Sequence, residues 1–326
     1  MSEDLILNIE DLRISLSANG EDYPAVEGLN LSIARGEVVG LVGESGCGKS
    51  LTALSVAGLL GGPLRVTGGQ IRFDGNDIAR LPNRNMRMLR GNRIAMIFQE
   101  PMTALNPLMT IGDQIGEMFV LHRGMSRRAA RKRAIECLEQ VQVPGASRRV
   151  NDFPHQLSGG MRQRVMIAIA LACDPDLLIA DEATTALDVT IQAEIIELIL
   201  DLCRARGTAV LMISHDLGLV ARVCQRVAVM YAGHLVEEQP AEKIFSDPQH
   251  PYTRGLVASL PRLGRRLVAG QAKLAEIPGV VPPIVEYGKG CRFAPRCAEV
   301  MPQCLTAAPE TTPLSSGGRK RCYLNG

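Results

Sequence analysis

The sequence carries little excess of either charge: 36 basic side chains stand against 34 acidic ones, a formal net charge of +2 over 326 residues. Proteins that track phosphate backbones usually hold a clear basic surplus, so composition gives no reason to expect nucleic acid as a partner. No apolar run approaches a bilayer span, since the longest, VMIAIALAC from Val165 to Cys173, is under half of the ~20 residues a crossing helix needs. The opening MSEDLILNIE lacks the basic-then-apolar order of an export signal. A cytosolic chain that does not itself cross a membrane is therefore expected. Long internal repeats and low-complexity tracts are also missing. What remains, 46% hydrophobic and 21% charged residues, is the composition of a folded chain long enough for two compact units.

Alternating apolar and polar side chains in LILNIEDLRISL and LNLSI predict half-buried antiparallel strands at the N-terminus. GEVVGLVGESGCGKS then supplies an apolar strand, a glycine-rich turn and, from Lys49, a helix. SRRAARKRAIECLEQVQV has helical spacing with a basic face, and suggests a helical subdomain over about residues 105–170. Its RRAARKR run reads first as a solvated helix face and second as a contact with anionic lipid or a partner. DLLIADE and AVLMISHD are buried-type strands flanking the helical VTIQAEIIELILDLCRARG, an alternation that implies a parallel sheet. Beyond Gly233 the chain becomes rich in proline and glycine. The expected organisation is an α/β domain over 1–235 and a C-terminal extension over 236–326.

GESGCGKS satisfies G-x-x-x-x-G-K-[ST] between a predicted strand and a predicted helix. In such a loop Gly43, Glu44, Ser45, Gly46, Cys47 and Gly48 turn backbone N–H groups toward phosphate. Lys49 reaches the β- and γ-phosphates of a nucleotide, and Ser50 holds Mg²⁺. The bland alternative is a glycine turn capping a helix. Asp181 and Glu182 stand at the C-terminal end of the apolar strand in LLIADE, where α/β sheets bind ligands; Asp181 suits a metal anchor, and Glu182 a base or water-positioner beside the γ-phosphate. The pair could instead be only a turn and cap. Ser158, Gly159 and Gly160 in LSGGMRQR form a second helix N-terminus able to cradle phosphate, without a lysine of its own.

In this order, GESGCGKS, Gln99 of IFQEP, LSGGMRQR, LLIADE, TTALD and His215 of ISHD resemble the ATP-binding subunit of an ABC transporter over essentially the whole chain. FQEPMTALNPLMTIGDQI, HPYTRGLVASLP and the closing cysteine segment further resemble ATPases of bacterial dipeptide, oligopeptide and nickel-chelate importers. Ala183 stands where that family usually has proline and Cys47 where it has serine; neither swap removes a phosphate, metal or water contact. The resemblance implies a P-loop NTPase fold with an N-terminal antiparallel β subdomain, an inserted helical subdomain and a cysteine-containing extension.

It also implies ATP hydrolysis at a site shared head to tail with a second ATPase subunit, usually a related but different chain. Ser158, Gly159 and Gly160 would act on the partner's ATP, Gln99 would sense Mg²⁺ and the attacking water, and His215 would hold the γ-phosphate. Asp188 would link the two sites, and Tyr23 is the nearest candidate for stacking on adenine. Two transmembrane permease subunits and an extracytoplasmic peptide-binding protein are implied, with the chain peripheral at the cytoplasmic face of the bacterial inner membrane. The rival reading is a soluble ABC ATPase acting on nucleic acid or ribosomes. Such proteins usually carry coiled-coil insertions or two cores in one chain, and neither is present.

Of nine cysteines, Cys137, Cys173, Cys203 and Cys224 are scattered and read as buried small apolar residues. Cys291, Cys297, Cys304 and Cys322 cluster, with five, six and seventeen intervening residues and no close C-x₂-C pair of the kind zinc ribbons use. Importer ATPases that this segment resembles carry a [4Fe–4S] cluster, which that resemblance implies here, remote from hydrolysis. Zinc, or no metal at all, are the alternatives.

Overall fold

The structure is a computed structural model that describes residues 4–98, 104–183, 189–260 and 277–324. Two long strands, β1 (Leu5–Ala18) and β2 (Glu21–Ala34), pair antiparallel and are joined by β4 (Leu64–Phe73) and the short β5 (Asn76–Asp77) in the order β2-β1-β4-β5. This is the antiparallel subdomain that the alternation predicted. Ile6, Ile9, Leu12, Ile14, Leu29, Leu31 and Ile33 are all buried in it.

The second sheet is built on β3 (Val38–Val42), β6 (Ile94–Ile97), β7 (Leu177–Asp181), β8 (Ala209–Ser214) and β9 (Arg226–Tyr231), parallel throughout in the order β9-β3-β8-β7-β6. Its central strands are hydrophobic on both faces because each face meets a different core. Val38 and Val42 join Leu178 and Ala180 on the side of the helices, whereas Val39 and Leu41 join Leu177 and Ile179 against the N-terminal sheet. Helix α1 (Lys49–Val56) follows β3 and α2 (Asn83–Leu89) precedes β6.

Between β6 and β7 lie α3 (Ile111–Arg123), α4 (Arg127–Gln140), α5 (Ala146–Arg149) and α6 (Gly159–Leu171), the helical subdomain. Thr110 and Ser126 cap α3 and α4 by accepting from the amides of Asp113 and Ala129. Helix α4 buries Ala130, Ala134, Cys137 and Leu138 and leaves Arg127, Arg128, Arg131 and Lys132 exposed, which is the solvated basic face read from its spacing. Helices α7 (Val189–Arg206) and α8 (Leu217–Val223) complete the core. Cys137, Cys173, Cys203 and Cys224 are buried as expected. Burial pushes their thiols up, to about 11 at Cys137 and about 12 at Cys203 and Cys224.

The boundary expected at residue 235 falls inside β10 (His234–Pro240), which pairs antiparallel with β9. Helices α9 (Ala241–Ser246), α10 (Pro251–Ala258) and α11 (Pro302–Thr306) belong to the extension, and so do β11 (Thr312–Pro313) and β12 (Arg319–Lys320). Strand β12 pairs with β10, so the extension widens the core sheet to eight strands. Glu238 of β10, almost fully buried, receives both Arg226 from β9 and Arg319 from β12, a three-strand ionic staple. Among the described residues, no helix is long and apolar enough to cross a membrane.

Candidate functional site

The segment from Gly43 to Ser50 leaves the end of β3 and enters α1 at Lys49. Gly43 lies at φ +150, and a Cβ there would sit 2.2 Å from the carbonyl oxygen of Met230, so only glycine fits under the loop. Gly48, at φ +107, turns the chain into the helix. Lys49 is 5% exposed, and its Nζ donates to the carbonyls of Gly43 at 2.7 Å and Glu44 at 3.0 Å. The ammonium thus spans the loop from inside. The Cys47 side chain points into the core, where burial raises its thiol pKa.

Strand β7 delivers Asp181 to the same place: the Ser50 hydroxyl donates to Asp181 Oδ1 at 3.1 Å. Burial pushes the Asp181 carboxyl above its ordinary range, against the pull of the Ser50 hydrogen bond; Glu182 pushes the same way as burial, and Lys49 opposes it. A hydroxyl and a buried carboxylate meeting at the mouth of a phosphate loop is a donor set that fits a hard divalent cation. Glu182 stands at φ +47, an unusual conformation for a side chain other than glycine, with its amide donating to the carbonyl of Ile213 at 3.0 Å. His215, just past β8, brings Nδ1 to 3.6 Å from Glu182 Oε2. A cavity of about 20 Å³, room for one water, is lined by Glu182, Gln192, Ser214 and His215 among others.

Ser158 caps α6, accepting from the amide of Met161 at 3.4 Å, and Gly159 opens the helix with Gly160 behind it. Ser158 and Gly159 are exposed, so the N-terminus of this helix faces outward. Gln163, one turn in, donates to the carbonyl of Ala183 and ties α6 to the residue after Glu182. Tyr23 lies on β2, and its hydroxyl donates to Glu21 at 2.9 Å. Gln99 and Asp188, expected to sense Mg²⁺ and to link paired sites, lie outside the described residues.

Cys291, Cys297, Cys304 and Cys322 line one small pocket with His250, Phe293 and Met301. All four are free thiols. Burial raises the pKa of Cys291, Cys297 and Cys322 against the pull of backbone N–H groups, and repulsion from neighbouring thiolates, Cys304 among them, adds to it. The pocket holds about 20 Å³, the room of a single water. Among the described residues, no group of three or more His, Cys, Asp or Glu is placed to hold a metal ion. Convergence of the four cysteines was legible in the sequence; an assembled metal site is not what this arrangement contains.

Sequence reasoning missed the grip of the extension on the phosphate loop. Tyr252 of α10 accepts from the amide of Glu44 at 2.9 Å, and Arg296 holds both Glu44 carboxylate oxygens, at 2.6 and 3.0 Å. Tyr231 packs edge to face on Tyr252 and on Phe293, with centroids 4.7 and 5.1 Å apart, and Tyr252 and Phe293 meet tilted at 5.4 Å. HPYTRG and CRFAPRC carried the signal as subfamily motifs, but nothing in their spacing shows what they touch.

A phosphate loop, a strand-end acid pair and an outward-facing second helix N-terminus on one parallel sheet define an ATP-hydrolysing cassette. Residues 26–185 match the ABC transporter family model, and residues 236–304 match the model of the oligopeptide/dipeptide transporter C-terminal region. A probable peptide ABC transporter ATP-binding protein of Sinorhizobium fredii is 49% identical over 98% of this chain and 95% of its own. The oligopeptide transport ATP-binding protein AppD of Bacillus subtilis is 46% identical over 98% of this chain and 96% of its own. Among solved structures, a dimeric ATP-binding cassette bound to ADP and Pi in a post-hydrolysis state superposes with a TM-score of 0.65 at 30% identity, covering 72% of this chain and 98% of that one. The chain belongs to the ABC transporter family, among the ATP-binding proteins of its oligopeptide/dipeptide branch.

Proposed function

We propose that this ATPase powers uptake of dipeptides or oligopeptides, working at the cytoplasmic face of a bacterial inner membrane against two permease subunits. What carries the reading is the joint presence, in one chain, of the cassette and the peptide-transporter C-terminal region. The relatives named above are peptide-transport proteins, and none of them supports the rival reading of a soluble ATPase acting on nucleic acid or ribosomes. An extracytoplasmic peptide-binding protein would present the cargo, and a second, related ATPase would complete the pair.

In that pair Lys49 draws the β- and γ-phosphates into the loop, while Ser50, Asp181 and Gln99 would hold Mg²⁺. The ion supplies charge neutralisation on the phosphates when bound. Glu182 orients and deprotonates the attacking water, and His215 steadies the γ-phosphate and the Glu182 carboxylate beside it. Ser158, Gly159 and Gly160 close over the partner's nucleotide; the exposure of that helix end supports this role. Asp188 links the two sites. Tyr23 is proposed to stack on adenine, resting on its position ahead of the loop. We assign residues 1–235 to the ATPase domain, with the extension beyond.

The four cysteines are proposed to close on a [4Fe–4S] cluster when iron and sulfide are supplied, with zinc as the competing outcome. Four soft thiols around one apolar pocket support the donor set, and the pocket would have to widen. Anaerobic purification should give brown protein with about four irons per chain; colourless protein with one zinc, or none, overturns the cluster.

The transport reading is tested by purifying the chain with its accompanying membrane proteins and measuring ATP-driven peptide uptake into vesicles. Uptake that requires Glu182 supports it. Permeases that take up no peptide under any condition refute it.

A further inference from the structure

We propose that Arg296, with Tyr252, is a positioning residue for the phosphate loop, so that the C-terminal extension sets the affinity of the site for ATP. Glu44 is the one acid inside a loop whose work is to surround a polyanion. A free carboxylate there would repel phosphate and let the loop swing toward solvent. Arg296 answers both problems, because its two terminal nitrogens meet the two carboxylate oxygens as a fork at 2.6 and 3.0 Å.

The guanidinium is itself held. Its Nε donates to the carbonyl of Pro278 at 2.7 Å and one terminal nitrogen to that of Ile277 at 3.2 Å, and its side chain is only 4% exposed. Tyr252 fixes the other end of the same residue, accepting from the Glu44 amide. A neighbouring arginine extends the grip: Arg292 donates to the carbonyl of Ala232 at 2.6 Å, and the next residue, Gly233, donates its amide to the carbonyl of Cys47 at 2.8 Å. Two arginines of one short segment, 292–296, therefore steady the loop from its flank and from beneath. The contacts of Arg296, Tyr252 and Arg292 fall on the loop and its flank, so the effect belongs to nucleotide binding and not to the chemical step.

The test uses the full-length chain, titrated with ATP and Mg²⁺ to read affinity, and the assembled transporter to separate KM from kcat. The wild-type titration reports nucleotide binding by itself, so failure of this proposal is distinct from failure of the transport reading. Arg296→Gln should raise KM for ATP about tenfold and leave kcat within about twofold, since it frees the Glu44 carboxylate without touching Glu182. Arg296→Lys should recover part of the loss, keeping the charge but not the fork. The double variant Glu44→Gln, Arg296→Gln should bind ATP no worse than Arg296→Gln alone, because no free carboxylate remains. Wild-type affinity in Arg296→Gln, or a double variant whose loss equals the product of the two single losses, overturns the proposal. Should Arg296→Gln fail to fold, Tyr252→Phe decides: it removes one oxygen, and an unchanged KM for ATP refutes the idea while a rise of about threefold at constant kcat upholds it.

Discussion

Glu182 sits in a backbone conformation that side chains avoid, at the end of a strand, with His215 3.6 Å away. Such strain persists where surroundings over-determine it, and here the Ile213 carbonyl and the Gln163–Ala183 bond pin the turn on both sides. Glu182→Gln keeps that shape and loses the basic oxygen, so ATP binding should persist while turnover falls by about 10²–10⁴. Equal hydrolysis rates in the assembled complex would refute the assignment. Lys49→Ala should act earlier, removing the charge that the phosphates meet and the two bonds that hold the loop open. Nucleotide titration, with no binding at millimolar ATP, checks it. Lys49, Ser50, Asp181 and Glu182 were legible because local spacing carries them: each lies within a few residues of a strand end or helix start. Arg296 was not, because its contact with Glu44 spans 252 residues of sequence and no periodicity encodes a partner so remote.

At the scale of elements, β3 and its loop work only because the backbone of β9 runs close beneath. Gly43→Ala should displace the loop, since the new Cβ would overlap Met230 oxygen and press on Cys47 Sγ. We expect ATP affinity to drop at least tenfold and stability by about 1–3 kcal/mol, read by titration and by denaturant unfolding. Helix α10 depends on a buried neutral histidine. His250 is 1% exposed, and its Nδ1 accepts from the Tyr252 amide at 3.1 Å. Burial lowers its pKa to about 3, and lowers that of His234 to about 4. Below an unfolded pKa of about 6.5 the unfolded chain binds these protons and the native one does not. Stability should therefore fall as pH drops from about 6.5 toward 4, by about 1.4 kcal/mol per pH unit for each histidine. His250→Asn retains an acceptor for the cap and should flatten that slope by one proton's worth in chemical unfolding at stepped pH. An unaltered slope would show that His250 is not the group that titrates. The long elements, such as β1, α4 and α7, were legible from apolar periodicity. The place of the extension was not: β12 pairs with β10 over only two residues, too short a strand to announce itself.

For the whole molecule, the N-terminus of α6 faces outward, as the proposed sharing of ATP with a second cassette requires. The chain alone should hydrolyse ATP slowly, and rise by about two orders of magnitude or more once permeases and the second ATPase are added. Fast turnover by a preparation shown to be monomeric by light scattering would refute a shared site. At this scale composition gave only a folded chain with no apolar run long enough to span a bilayer; the membrane partners came from the motif resemblance.

The fork between Arg296 and Glu44 also has a clock in it. The two residues lie 252 positions apart, and at about 5–20 residues per second a ribosome needs roughly 13–50 s to pass from one to the other. Until Arg296 is made, the nascent loop has no guanidinium to meet the Glu44 carboxylate, and for most of that interval Tyr252 is missing as well. On the proposed role of Arg296, full affinity of the loop for nucleotide arrives late in synthesis, with the segment that also carries the cysteines.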